Sequence, residues 1–476
     1  DVPDPDVIRV GDYFYMVSTT MHLMPGAPVM RSRDLVHWET VSYLFDELHE
    51  TPKYDMEEGT VYGRGQWATS IRYHDGKFYA LFSPNDVPYR SFVYTTDDPA
   101  KGWTLHSRMK HFHDASLFFD DDGRVYVFYG TGQLTELEAD LSGVKEGGVD
   151  MTLQVRDEEE KGLLEGSRVI KHDGKYYLLM ISWPNGGKRR QLCYRADKIT
   201  GPYEKKGILC DNFAGFPYVG QGTIVDDAKG NWYGVIFQDR GGVGRVLTLS
   251  PCHWIDGWPM LGDEGKDLIT YPKPATGKKS KIKSPATTDE FNASQLGLQW
   301  QWNHNPDNSR WSLKERKGYM RLYASQASTL KDARNTLTQR VQGPSCEGSV
   351  EMEVTGLKDG NIAGFGIFEF PYAYVAIRQE SGRRKIVMCN DGKDIETVEH
   401  FNGDKLWIRV RATDKEFKAL FYYSLDGVNY KRIGNELQMG LGLPWTANRF
   451  ALFNFNTTPQ GNNGYADFNW FRFTNK

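Results

Sequence analysis

Along the first half of the chain, apolar and aromatic residues fall in short runs that restart on the same punctuation. The pattern Gly-x-aromatic-Tyr followed by apolar residues occurs at Gly11 (GDYFYMV), Gly76 (GKFYAL), Gly123 (GRVYVF), Gly174 (GKYYLL) and Gly230 (GNWYGV). The first copy carries an extra residue, and the third has Val125 in the aromatic slot. Acidic turn residues precede several copies, as in His74-Asp75-Gly76, Asp121-Asp122-Gly123 and His172-Asp173-Gly174. That is the signal of a tight hairpin between two strands. The five glycines lie 47 to 65 residues apart, close to the length of a four-stranded propeller blade with variable loops.

A second punctuation mark falls between the hairpins. Ser32 to Trp38, Thr96 to Trp103 and Ala196 to Tyr203 each place an Asp ahead of an aromatic. They read as turns between the two outer strands, with the Asp side chain bonding its own backbone and the aromatic pinning the blade. An irregular sandwich does not explain five recurrences, so the prediction is an all-β chain whose residues 1–271 form a five-bladed β-propeller. With Asp4 so near the first residue, an upstream segment is expected to help close the last blade. The repeat stops after Trp258, and residues 272–288 read as a solvated linker, with Lys278, Lys279, Lys281 and Lys283 close together. From residue 289 to 476 alternation returns without a repeat near 50, as at Tyr319 to Leu322, Ser349 to Val354, Leu406 to Ala412 and Ala419 to Tyr423. A two-sheet β-sandwich, or jelly roll, is expected there.

Composition narrows the function classes. The 476 residues exceed a single ordinary core, in keeping with two domains. With 58 basic and 62 acidic side chains the net charge is −4, so no overall field draws nucleic acid. No apolar run approaches the length of a spanning helix. The five cysteines are odd in number and contain no C-x-x-C pair, which signals neither a disulfide framework nor a zinc site.

The candidate chemistry follows from the repeat itself. Nine residues before the repeat glycine stand Trp67, Asp114, Glu165 and Gln221, and in the first repeat the nearest carboxylate is Asp4, seven residues before Gly11. Equivalent positions on the innermost strands face one cavity. A single carboxylate is usually a surface or turn residue, but three at matched strand starts converge. Small residues follow two of them, in Asp114-Ala115-Ser116 and Glu165-Gly166-Ser167, leaving room for a ligand. Paired carboxylates beside an aromatic stacking face are what glycosidic bond cleavage needs, one acid and one base. No serine elbow, H-E-x-x-H motif, phosphate loop or dinucleotide fingerprint competes with this. Gly241-Gly242-Val243-Gly244, in an all-β setting, reads as a loop.

The stretches Val2 to Asp12, Gly65-Gln66-Trp67-Ala68, His113 to Phe118 and Leu164-Glu165-Gly166 resemble the signatures of glycoside hydrolase family 43. The likeness continues through Gln221-Gly222-Thr223 and Phe237 to Arg240 to Asp256-Gly257-Trp258-Pro259, and Asn462 to Phe468 resembles the end of the concanavalin-like sandwich of one branch. The resemblance implies an inverting β-xylosidase or α-L-arabinofuranosidase. By position it makes Asp4 the general base, Glu165 the general acid, Asp114 the group that orients that acid and raises its pKa, and Arg240 an arginine reaching the sugar. Many members carry His where Gln221 stands, some with calcium at the axis. No cofactor is required, and a structural calcium ion is in doubt.

The expected activity is release of a terminal pentose from arabinose- or xylose-containing glycans. The first loop leans toward arabinofuranosidases, so α-L-arabinofuranosidase ranks first and β-xylosidase second. A non-catalytic glycan-binding propeller is the alternative from another class. His22 and Trp183, in loops of the first and fourth repeats, are the remaining substrate-binding candidates. Plant cell-wall substrates imply a periplasmic or secreted bacterial enzyme. The sandwich is expected to pack on the propeller and lend a loop to the rim of its funnel.

Overall fold

The computed structural model describes residues 1–209, 212–213, 216–217, 219–263, 274, 281, 285–413, 415–440, 445–459 and 461–476. Most of the expected linker, including Lys278, Lys279 and Lys283, lies outside the described residues. Regular structure is almost entirely strand, with short 3-10 turns between. Each repeat glycine falls where the sequence places it, between the first and second strand of a four-stranded antiparallel meander.

Blade one comprises Asp6–Val10, Tyr13–Val17, Gly26–Ser32 and Trp38–Phe45, and blade two Ser70–His74, Lys77–Phe82, Arg90–Thr96 and Thr104–Lys110. Blade three runs from Ser116–Phe119 to Asp150–Thr152 and blade four from Leu163–His172 to Glu204–Leu209. Blade five takes all four strands from Val219–Asp226 to Trp258–Leu261, so it is complete without the upstream segment the sequence reading called for. The innermost strands touch in turn around the ring, and blade five closes on blade one through an ion pair between Arg9 and Asp226 at 2.9 Å. The outer turns follow the expected physics. The Asp34 carboxylate accepts from the amides of Val36 and His37, and the Trp38 indole donates to Leu35 O.

Two large sheets form the sandwich, and Val350, Phe365, Val375, Ile408, Phe450 and Phe471 are buried between them. One sheet does not stop at the domain border. Leu23–Met24, from the first loop of blade one, pairs antiparallel with Gln301–Asn303 as its edge strand. Further bonds join the two halves: Asn305 donates to Leu48 O, Tyr62 to Lys331 O, and the amide of Asn448 to Gly242 O. The sandwich is thus built onto the propeller, as the sequence analysis expected. Cys193, Cys252 and Cys389 are free and buried, Cys346 is buried, and Cys210 lies outside the described residues.

Candidate active site

Because every blade is an up-and-down meander, the loops joining second to third strands share one end of the ring with the starts of the innermost strands. These loops are residues 18–25, 83–89, 130–132, 184–189 and 240–244. Asp4 and Asp114 sit at that end with left-handed backbones, φ 53° and 46°. Asp tolerates this region better than most residues, and such conformations cost about 1–3 kcal/mol and gather at functional sites. Asp4 is 8% exposed; Thr19 Oγ1 donates to its Oδ2 at 2.6 Å, and Arg245 Nη1 lies 3.5 Å from its Oδ1. Both oxygens are therefore oriented.

Glu165 is placed by a bulge. The pairing of Leu163–His172 with Lys175–Trp183 slips between Glu165 and Arg168, which changes the facing of the side chains on either side. Gly166, at φ 75°, makes the bulge possible: a Cβ there would come within 2.5 Å of Gln221 Oε1. Gln221 is buried behind it, and its Nε2 has no partner among the described residues. Past the bulge, Arg168 turns inward and is fully buried at the centre of the ring. Its guanidinium donates to the carbonyls of Asp4 at 3.0 Å, Thr69 at 3.3 Å, Ala115 at 3.4 Å and Ser167 at 2.8 Å. Its Nε stands 3.6 Å from the buried Asp6 carboxylate.

His113, which the sequence analysis quoted only as part of a motif, completes the site. Its Nε2 lies 3.2 Å from Glu165 Oε2, and its ring is 5.4 Å from that of Trp67. Trp67 is half-buried, held by a 2.9 Å bond from its indole to Gly63 O. His113, Asp114 and Glu165 bring one ligand-type atom each within 4.8 Å of the others. The other such group among the described residues, Asp157, Glu159 and Glu160, is already paired with Lys205.

Burial and charge set the proton balance of the trio. Burial disfavours the Asp114 anion most and Glu165 adds like-charge repulsion, which together push Asp114 up to about 7. Burial alone would lower the His113 imidazole. The hydrogen bond to Glu165 and the charges of Asp114, Glu165 and Asp4 outweigh it and raise His113 to about 9. Asp114, the more enclosed of the two carboxyl groups, and His113 are thus both shifted upward. Both groups hold their protons more tightly folded than unfolded. The stability they contribute is whole below their ordinary values of 3.8 and 6.5 and is lost as pH rises through about 7 and about 9. Thermal unfolding of His113→Gln is accordingly expected to depend less on pH than the wild type between about 6.5 and 9. Parallel profiles in the two proteins would contradict the placement of the imidazole.

Of the remaining candidates, His22 stands elsewhere than expected. His22 is fully buried at the junction with the sandwich, its Nε2 3.2 Å from Glu369 Oε1, because its loop supplies the edge strand of the sandwich sheet. It does not line the funnel rim. Arg240 donates to Gln238 Oε1 at 3.3 Å, and the guanidinium beside Asp4 is that of Arg245, across the Gly241–Val243 turn. Trp183 is 38% exposed on the rim, its indole donating to Gly187 O and the Arg189 guanidinium 4.9 Å from its ring.

The chain belongs to glycosyl hydrolase family 43. The description "Glycosyl hydrolases family 43" matches residues 1–259, and "Beta xylosidase C-terminal Concanavalin A-like domain" matches residues 288–474. The chain is 29% identical to a relative named beta-xylosidase from Formosa agariphila, over 99% of this chain and 88% of the relative. It is 26% identical to the non-reducing end alpha-L-arabinofuranosidase BoGH43B of Bacteroides ovatus, over 99% and 92%. The structure titled bifunctional GH43-CE, of Bacteroides eggerthii, superposes with a TM-score of 0.92 at 40% identity, covering all of this chain. The chain spans 63% of the length of that protein. The protein is a glycoside hydrolase, and the non-catalytic reading of the propeller falls away.

Proposed function

We propose that this member of glycosyl hydrolase family 43 is an inverting exo-glycosidase that releases one terminal pentose, β-xylosides ranking ahead of α-L-arabinofuranosides. The observation that carries the reading is the division of labour in the funnel. Asp4 on blade one is held by Thr19 and Arg245, whereas Glu165 on blade four is attended by His113 and Asp114. In this reading Asp4 takes a proton from water as the water attacks the anomeric carbon. Glu165 gives a proton to the departing glycosidic oxygen, and His113 and Asp114 hold the protons that resupply it. Trp67 offers its half-buried ring to the sugar. The two reacting carboxyl groups should then stand about 6.5–9.5 Å apart, not the roughly 5–5.5 Å of a retaining pair.

The first loop supported the arabinofuranosidase ranking, and in the structure that loop is spent on the sandwich. The 29% identical relative named beta-xylosidase supports the reversed order. Catalytic efficiency on 4-nitrophenyl β-xylopyranoside is expected to exceed that on the α-L-arabinofuranoside by about tenfold, the size of one or two hydrogen bonds. The reverse preference would restore the original ranking. Inversion predicts that NMR sees α-xylose first from a β-xyloside; β-xylose first would defeat the mechanism.

We also infer that the axial position does not suit a cation. The Arg168 guanidinium already occupies the centre, and Arg72 donates to Asp6 and Ser116 beside it. No step of this mechanism is routed through a metal. Substrates derived from plant cell walls favour action in the periplasm or outside the cell. No helix among the described residues is long and apolar enough to cross a membrane.

A further inference from the structure

Four rings lie in sequence from the acid outward. Trp67 and His113 are 5.4 Å apart, His113 and His111 6.4 Å apart with planes 30° from parallel, and His111 and Tyr89 5.5 Å apart and nearly perpendicular. The order begins at Glu165, which His113 touches, and ends on the rim of blade two, where Tyr89 and Val87 are each 48% exposed. All four residues belong to the end of the propeller where the carboxylates stand, since residues 83–89 join second to third strand and residues 111–114 lead from blade two into blade three. Exposed apolar side chains on a loop beside a reactive cleft are a common mark of a ligand surface.

We propose that the outer part of this aromatic lane, His111 and Tyr89, binds the second and third sugars of a β-linked pentose chain, making Tyr89 a residue that selects for chain length. The inference rests on Glu165 being the acid. The group that receives its proton is the oxygen of the leaving sugar, so the departing chain lies on the side of Glu165 and its neighbours. Blades one and five are engaged differently. Their loops carry the paired strand Leu23–Met24 and the Gly242–Asn448 bond, and the connection from blade one into blade two carries the bonds of Leu48 and Tyr62, so that side of the funnel faces the sandwich. The loop of residues 83–89 carries none of the sandwich contacts described above and presents Tyr89 to solvent. Pentopyranose rings have apolar faces that stack on aromatic side chains, while their hydroxyl groups remain in water at the rim. His111 suits a stacking role, because burial and the neighbouring His113 lower its pKa and so favour the uncharged ring.

The wild-type enzyme and the variants Tyr89→Ala and Tyr89→Phe should be compared on β-1,4-xylobiose, xylotetraose and 4-nitrophenyl β-xyloside. Wild-type kcat/KM is expected to rise from xylobiose to xylotetraose. The ratio of kcat/KM on xylotetraose to that on the nitrophenyl xyloside should fall about tenfold in Tyr89→Ala, the scale of one stacking contact, and recover in Tyr89→Phe, which keeps the ring. An unchanged ratio in Tyr89→Ala, or a Tyr89→Phe ratio as low as that of Tyr89→Ala, would overturn the lane. The wild-type series does not depend on how the variants fold. A flat or falling series alongside good turnover of the nitrophenyl xyloside overturns the lane alone and leaves the proposed function standing. A wild type inactive on every xyloside removes the substrate reading, and the lane with it.

Discussion

Glu165→Gln is expected to lower kcat/KM on xylo-oligosaccharides by about 10³-fold, within the range general acid catalysis supplies. The amide keeps the size of the side chain and can still meet His113, so the fold has little reason to change. What disappears is the proton for the glycosidic oxygen. A leaving group that departs without protonation should therefore rescue the variant, and on a dinitrophenyl xyloside the loss should shrink to about tenfold or less. Asp4→Asn behaves differently if Asp4 is the base. Activation of water is needed whatever the leaving group, so its loss should be similar on both substrates. Equal losses for Glu165→Gln on the two substrates would move the acid role to Asp114, whose carboxyl burial and the neighbouring Glu165 push up to about 7.

The blades and much of the sandwich were legible because their signals are local. An Asp-Gly hairpin specifies its turn wherever it occurs, and the strands expected at Ser349 to Val354 and Leu406 to Ala412 appear as Ser345–Glu353 and Lys405–Thr413. Counting back from the repeat glycine found Trp67, Asp114, Glu165 and Gln221 because a propeller repeats its geometry with its sequence. The failures came where the chain leaves the repeat. His22 sits in a loop that another domain recruits as a strand, and nothing within residues 18–25 announces a partner almost 280 residues away. Arg245, beside Asp4, went unforeseen because it lies past the 3-10 turn at Gly241–Val243, beyond the motif that ends at Arg240. His113 lay beside a chosen carboxylate, but its role depends on Glu165, 52 residues later, returning to it through a bulge.

Arg168 shows how the same bulge joins catalysis to stability, and Arg168→Met is expected to be the most destabilising of the substitutions considered. The guanidinium is fully buried and bonds carbonyls contributed by blades one, two, three and four. Methionine fills part of the volume but donates nothing, so those carbonyls lose their donors. Among the described residues, the buried Asp6 carboxylate then keeps Arg72 and the Ile71 amide, at 2.7 and 2.9 Å. Breaking a buried pair from one side costs about 3–5 kcal/mol, which in a chain of this size should appear as a fall of several degrees in unfolding temperature. Arg168→Lys retains the charge without the planar fork that reaches several acceptors, so it should fall between the two. Activity should fall with stability, even in the folded fraction, because Arg168 holds the carbonyl of the residue whose side chain is the proposed base. A variant that melts with the wild type would show that the ring is held by its strand contacts alone, and that the arginine at its centre serves only to fill it.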